Sequence, residues 1–554
     1  MSKTLGIPDL AARVLLARGI EDPDLARGYL RPDLRSLSDP FEFTHMRRAV
    51  ERIRQAIRNG ERIVVHGDYD VDGITGTVLL VKFFQAMSAD VHPFIPARED
   101  GYSITEASVQ AVVDGGYQLL ISVDNGTNAI DAIDAIQATG CDVIVTDHHG
   151  TSEGVANAHT ILNPRLPDAG YPDRDLAGVG VAFKLATAIA QNFSSGRTMS
   201  QEFRNYLIEA MAYVALGTVA DVAPLRGENR VMVFHGLRAL AASRNPGLRA
   251  LIDSAGLRDR SPDAEDIAFR IAPLINAAGR MGNALEAVEL LMAPSYQEAQ
   301  IAAKALEKHN LNRRKVQKEV VDAAMEMAAG MDDEILVLGA DNWHRGVLGI
   351  VASRLAETLH KPTLLLSFED GFGRGSGRSV DGFHLRDALA QCSDLLLRYG
   401  GHHAAVGLEI EQSKLDDLRI AINTAARETP RQTTPMEIDG RADFSEMDSR
   451  DIRKIDMLGP FGAGNRRPVF MTEDVKIVGN PTLDKRGQDL RFRVVKNGVV
   501  LPVRLHHGSQ WFETIREAKH LITISYTPRL STWTEDGPVF LHTWHLSQSK
   551  RSEP

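Results

Sequence analysis

Cysteine is almost missing from this chain. Its 554 residues hold two, Cys141 and Cys392, which excludes a disulfide scaffold or a zinc-finger array and fits a reducing, cytoplasmic setting. Long apolar runs are missing too. No stretch approaches the roughly 18 consecutive apolar residues of a membrane span, and the N-terminus carries acids early without the apolar core of a secretory signal. Internal repeats and low-complexity tracts are absent. A positive net charge is also lacking. The formal charge of −10 is not that of a general nucleic-acid binder. The average hides an asymmetry, however. From Lys476 onward twelve Lys or Arg face seven Asp or Glu, a balance of +5, so the residues before it carry −15. A basic tail module on an acidic body is compatible with a polyanionic substrate.

What remains is an ordinary globular composition spread over too many residues for one core, so the length suggests three or four domains. Residues 1–45 read as a short helical segment interrupted by Pro23, Pro32 and Pro40. From there short β-branched runs such as "RIVVHGD", "YQLLISVD" and "CDVIVTD" alternate with helical patterns. Strands of five to eight residues alternating with helices imply an α/β fold on a mostly parallel sheet, helices on both faces. Residues 177–330 are mostly helical by pattern. Within them Ser295–Met331 has no proline and one glycine near its end, which predicts a connecting helix of roughly 50 Å. A second, smaller α/β unit runs from "EILVLGAD" to "GGHHAAVGLEI". A polar, proline-bearing linker follows, and then short alternating runs that predict a β-barrel of about five strands, the size of an OB-fold.

The densest chemistry lies in "HGDYDVDG" at 66–73. Asp-x-Asp-x-Asp-Gly opens an EF-hand calcium loop, but that loop needs a bidentate glutamate at its twelfth position. Counted from Asp68, that position is Leu79, and the segment before Asp68 is strand-like. Strand alternation offers another reading: His66, Asp68, Asp70 and Asp72 converge where "RIVVHGD" ends and turns. Open parallel sheets bind ligands beyond the carboxyl ends of their strands. The next predicted strands end in Asp124 and in Asp147, His148 and His149, and Asp221 follows an apolar helical run. So many carboxylates in one partly buried place repel one another, and divalent cations are the simple remedy. Oxygen and imidazole donors suit magnesium or manganese, and this many ligands suits two ions sharing a carboxylate.

"DYDVDG", "VDNG", "VTDHH" and "GTVADVAPL" resemble the four motifs of the DHH phosphoesterase superfamily. "NAAGRMG", "GSGRS" and "GGHHAAVG" resemble its accessory DHHA1 domain and neighbouring segments. With a barrel behind them, the chain is similar to the superfamily's single-strand-specific 5′→3′ DNA exonucleases from about residue 45 to 545. The resemblance implies a DHH catalytic domain at 46–290, a connecting helix at 291–331, a DHHA1 domain at 332–425 and an OB-like nucleic-acid-binding domain at 436–548. It implies hydrolysis of phosphodiester bonds with two divalent cations, Mn2+ or Mg2+. His66 and Asp70 hold one, Asp72, His148 and Asp221 the other, and Asp124 bridges them. His149 stands at the scissile phosphate as a stabiliser or proton donor. Asp68 is a weak ligand or an acid behind the ligands. Arg98, Ser376 and Arg378 grip the 5′ end, with Arg280 and His403 as further substrate contacts. Trp511, Trp533 and Trp544 of the barrel, and Phe461, are candidates for stacking on bases. Implied partners are single-stranded DNA, single-strand-binding protein and a RecQ-type helicase, with no membrane. One departure is Ser103 in "DGYSIT", where the family usually has glycine. The competing readings are a phosphodiesterase of the same superfamily acting on short oligonucleotides or nucleotides, and a non-catalytic DNA-binding relative. The first usually lacks the barrel and the second predicts lost ligands.

Overall fold

In the computed structural model, the described residues are 1–554 apart from 99–100, 102, 152–153, 195–198, 429–434, 486, 507, 519, 531–538 and 549–554. The first sheet is built from Ile63–Gly67 (β1), Val91–Phe94 (β2), Leu119–Val123 (β3), Asp142–Thr146 (β4) and Thr160–Leu162 (β5). All neighbours are parallel, in the order β2-β1-β3-β4-β5. The side-chain alternation of the strands divides two cores. Ile63, Val65, Leu119, Ile121 and Ile144 pack into the large core on one face. Val64, Leu120, Val143 and Val145 pack into a smaller core on the other. Helices cover both faces, as a fully buried parallel sheet requires.

The connecting helix runs Tyr296–Ala328, 33 residues, about 50 Å at 1.5 Å per residue. Ser295 caps its start by accepting from the Glu298 N–H. Beyond it lies a second sheet of Leu336–Asp341 (β6), Thr363–Glu369 (β7), Phe372–Arg378 (β8), Arg398–Gly401 (β9) and Ala405–Glu411 (β10). Its order is β6-β7-β8-β10-β9, with only the β6–β7 pair parallel.

The third sheet contains Gly440–Arg441 (β11), Phe470–Leu483 (β12), Leu490–Lys496 (β13), Val499–Leu505 (β14), Ile522–Leu530 (β15) and Val539–Gln548 (β16). An extra β12–β15 pairing closes β12 to β16 into a barrel, and β14–β16 is its one parallel neighbour pair. The N-terminal helices join this barrel. Leu10, Val14, Leu15, Ala26 and Leu30 share one core with Phe444, Leu458, Phe470 and Tyr526. Arg18 ties the two ends of the chain together, donating to Asp439 (2.9 Å), Asn465 (2.6 Å) and the Arg466 carbonyl (2.8 Å). The barrel is fastened to the first α/β unit by Glu265, which accepts from Arg467 (2.8 Å) and Arg529 (2.7 Å). Among the described residues no helix is long and apolar enough to cross a membrane.

Candidate metal centre and phosphate cleft

Strand β1 delivers only His66 and Asp68 directly. The strand ends at Gly67, and Asp70 and Asp72 belong to the helix Val71–Ala86 instead. This corrects the expectation that strand alternation aligns all four side chains. Asp70 is the N-cap, its Oδ1 accepting from the Asp72 and Gly73 N–H groups at 2.9 and 3.1 Å. Asp72, in the first turn, is clamped by a different helix: Oδ2 accepts from Gly178 N–H (2.7 Å) and Oδ1 from Val179 N–H (2.9 Å). Two helix N-termini thus aim their positive ends at this patch of negative charge. Leu79 lies fully buried within the helix, so the calcium-loop reading has no ligand there.

The remaining acids come from other strand and helix ends. Asp124 follows β3 with φ 63°, a left-handed backbone in a residue other than glycine, strain of the kind that gathers at functional sites. A Cβ on Gly178 would lie 2.6 Å from the Asp124 Cβ, and one on Gly217 would lie 2.7 Å from an Asp72 oxygen. Glycine at both positions is what lets two helices approach the acids so closely. Asp221 sits at the C-cap of the helix Gln201–Ala220. His148 Nε2 lies among three carboxylates: 3.0 Å from Asp124, 3.7 Å from Asp221 and 3.8 Å from Asp72.

Two sets of donor atoms, each within 4.8 Å of one another, converge here: Asp72, His148 and Asp221, and Asp68, Asp70 and Asp124. A third set, Asp124, His148 and His149, joins them. The second set brings in Asp68, whose role the sequence leaves open. His66 is buried next door with Nε2 at 2.8 Å from Ser108 Oγ, and its Nδ1 has no hydrogen-bond partner among the described residues. Electrostatics make the same point. Burial, then mutual repulsion, pushes Asp68, Asp72 and Asp124 well above the usual carboxylate range. Burial and Asp70 raise Asp221 to about 7. Burial lowers His66 to about 4, and burial with the charge of His149 lowers His148 to about 3. Neutral imidazoles and crowded carboxylates, with Asp68 Oδ1 and His148 Nδ1 buried without hydrogen-bond partners among the described residues, fit divalent cations of the Mg2+ or Mn2+ kind.

Asp147 does a different job. Its Oδ1 accepts from the His148 N–H (2.7 Å), the His149 N–H (3.1 Å) and His149 Nδ1 (2.7 Å), and its Oδ2 accepts from the Thr127 N–H (3.0 Å). It fixes both histidines and the β3–helix loop in one arrangement. Burial works to lower the His149 pKa, but the Asp147 partner and nearby acids outweigh it and raise it to about 9.

Across the cleft stands a group of opposite sign. Arg98 lies over the Tyr69 ring at 4.6 Å. Arg280 donates to the Gly346 carbonyl (2.9 Å), and burial plus the charges of Arg98, Arg313 and Arg378 lowers its pKa to about 10. Arg378 and Ser376 lie on β8, opposite Ala405 and Gly407 of β10. Arg313, from the connecting helix, is a member that sequence reasoning missed; mid-helix, it reads as one more solvent-facing base. His403 is exposed, its ring 5.6 Å from His384. It is the adjacent His402 whose titration feels His149. Ser103 adopts φ 76°, the left-handed backbone that a glycine there would supply. Trp533 and the Trp544 side chain lie outside the described residues, and Trp511 is exposed in the turn Ser509–Trp511.

Residues 62–218 match the N-terminal domain of the DHH family, 332–428 the DHHA1 domain and 438–542 the RecJ OB domain. The single-stranded-DNA-specific exonuclease RecJ of Dickeya dadantii is 35% identical over 429 residues, covering 74% of both chains. The chain belongs to the RecJ family. The RecJ of Bacillus subtilis is 34% identical over 492 residues, which cover 86% of this chain but 61% of that longer protein. The crystal structure of RecJ from Thermus thermophilus in complex with Mn2+ superposes with a TM-score of 0.81 at 29% identity, over 99% of this chain and 77% of that one. The same protein has also been solved in complex with Mg2+ (TM-score 0.76). RecJ-type folds thus accept the two cations that the donor set here suits.

Proposed function

We propose that this chain is a single-strand-specific 5′→3′ DNA exonuclease that uses two divalent cations, Mn2+ or Mg2+, to hydrolyse phosphodiester bonds and release 5′-mononucleotides in DNA recombination and repair. The observation that carries the reading is one cleft with three adjoining sets of carboxylate and imidazole donors on one side and an arginine group on the other.

His66 and Asp70 would hold one cation, Asp72, His148 and Asp221 the other, and Asp124 would serve both. Asp68 shares a donor set with Asp70 and Asp124. When bound, such ions lower the pKa of a water and take up charge on the phosphoryl oxygens. The chain's own residues do the rest. Asp147 holds His149 through Nδ1, so the opposite ring nitrogen is turned to the scissile phosphate. Arg98, Arg280, Arg378 and Ser376 hold the terminal 5′ phosphate with fork-shaped charged donors and a hydroxyl, which sets polarity and makes the enzyme an exonuclease. His403 lies on the same rim. The barrel extends the path of the strand, and a cleft between two α/β units admits one strand rather than a duplex. Cooperation with single-strand-binding protein and a RecQ-type helicase in the cytoplasm completes the reading; it is supported by the family resemblance alone.

Single strands labelled at either end, with a duplex control, test the proposal in Mn2+ or Mg2+. Mononucleotides should leave from the 5′ end of the single strand alone. Release from the 3′ end, or equal attack on duplex, contradicts it.

A further inference from the structure

A cavity of about 420 Å³ opens beside Asp221, between it and Arg280. Its walls are mostly apolar, from Val222, Phe269, Ile350 and Phe461; Arg280 and Arg313 also line it, as does Glu265, whose charge is taken up by Arg467 and Arg529. Two wall residues are unusual. Val222, directly after Asp221, takes φ 60°, a conformation that a β-branched residue adopts only under strain, and it leaves the side chain 69% exposed. Phe269 is 75% exposed although its neighbours Ile267 and Ile271 are fully buried. It sits in a π-helical turn, Ile267–Ile271, inserted between Ala264–Asp266 and Ala272–Met281. Such turns recur at functional sites because the extra residue re-aims the side chains around it. The rod that presents Phe269 also carries Arg280 about three turns later. On the barrel side, Phe461 is buried beneath Arg467, whose guanidinium lies 4.6 Å from its ring centroid.

A phenyl ring held in water, a strained valine beside a catalytic-site acid, and two guanidinium groups at the edge make a surface with a flat apolar part and a cationic part. That is the chemistry of a base and its phosphate. Resting on the exonuclease reading above, we infer that Phe269 is a positioning residue that stacks on a base of the single strand behind the scissile phosphate. Arg313 takes the adjoining backbone, and Val222 closes the side of the stack nearest the reacting bond. Stacking requires an unpaired base, so this contact adds to single-strand specificity.

Two readouts on the full chain test this. In EDTA, without turnover, oligonucleotides carrying 2-aminopurine one position at a time from the 5′ end should show one position of strongest quenching. That maximum should vanish in Phe269→Ala and Phe269→Leu and persist in Phe269→Trp. In Mn2+, Phe269→Ala should raise KM for long single strands about tenfold, as expected for losing one base–aromatic stack. It should leave kcat and the melting temperature unchanged, and Phe269→Trp should restore KM. A quenching profile identical in Phe269→Ala and the native chain overturns the inference, as does restoration of KM by leucine. A native chain that fails to hydrolyse DNA defeats the exonuclease reading, while the quenching profile still decides the stacking contact.

Discussion

Two self-repelling groups share the central cleft. On the sheet side, buried Asp68, Asp72 and Asp124 and half-buried Asp221 are pushed toward their neutral forms by burial and by neighbouring carboxylates. Opposite them, Arg280 of the first unit and Arg378 of the accessory unit are half-buried and pushed down by burial and the charge of Arg98. Tyr69 stands between, feeling charges from both. The two groups differ in how they are held. Asp72, at the centre of the acids, is fixed by two backbone N–H groups at a helix N-terminus, whereas Arg98 rests on the Tyr69 ring and Arg280 on one carbonyl. A rigid anionic nest suits cations of demanding geometry, and a looser cationic rim suits a phosphate that must enter and leave.

The sharpest break in this contrast comes from the acids. Asp124→Ala removes a carboxylate that belongs to two of the three donor sets and should abolish turnover on every substrate, in either cation; retained hydrolysis contradicts the proposed sharing of Asp124. Asp147→Asn keeps the donors but loosens both histidines, and changes of this kind cost about 10- to 100-fold in activity. The drop should appear in kcat.

On the opposite side the effect should be smaller and of another type. Arg378→Ala should raise KM about tenfold, as for losing one charged hydrogen bond. It should also erase any preference for 5′-phosphorylated over 5′-hydroxyl ends. A fall in kcat with that preference intact would place Arg378 at the reacting bond instead.

The smallest effect belongs to the fastening of the barrel. Burial works against the charge of Glu265, yet Arg529 and Arg467 hold its pKa down to about 2, from an ordinary 4.5. A carboxylate depressed on folding contributes stability that is full above 4.5 and is lost as pH falls toward 2. The side chain is more than a third exposed, so the contribution is screened to about 1 kcal/mol or less. Glu265→Gln should melt slightly earlier than the native chain at pH 7, and the gap should close near pH 2. A gap that stays constant with pH removes the ion pairs as its cause.

Much of this was legible in the sequence because the signals are local. Asp124 and Asp147 end apolar runs, and the strand ends of a parallel sheet share an edge. The place of Asp70 and Asp72 was less so, since Asp-Val-Asp-Gly continues a strand pattern while also capping a helix, and the cap won. Packing of Leu10 and Val14 against Phe470 and Tyr526 joins residues more than 400 positions apart, and no local periodicity encodes that. Arg313 and Phe269 carry no local signal in the sequence; only the π turn and the fold of the helical rod bring them to the cavity beside Asp221.

If the acids form a paired cation site, calorimetric titration of the metal-stripped chain with Mn2+ should find two bound ions per native chain, with one or both lost in Asp124→Ala. A native chain that binds no Mn2+, or an Asp124→Ala variant that binds as the native chain does, contradicts it.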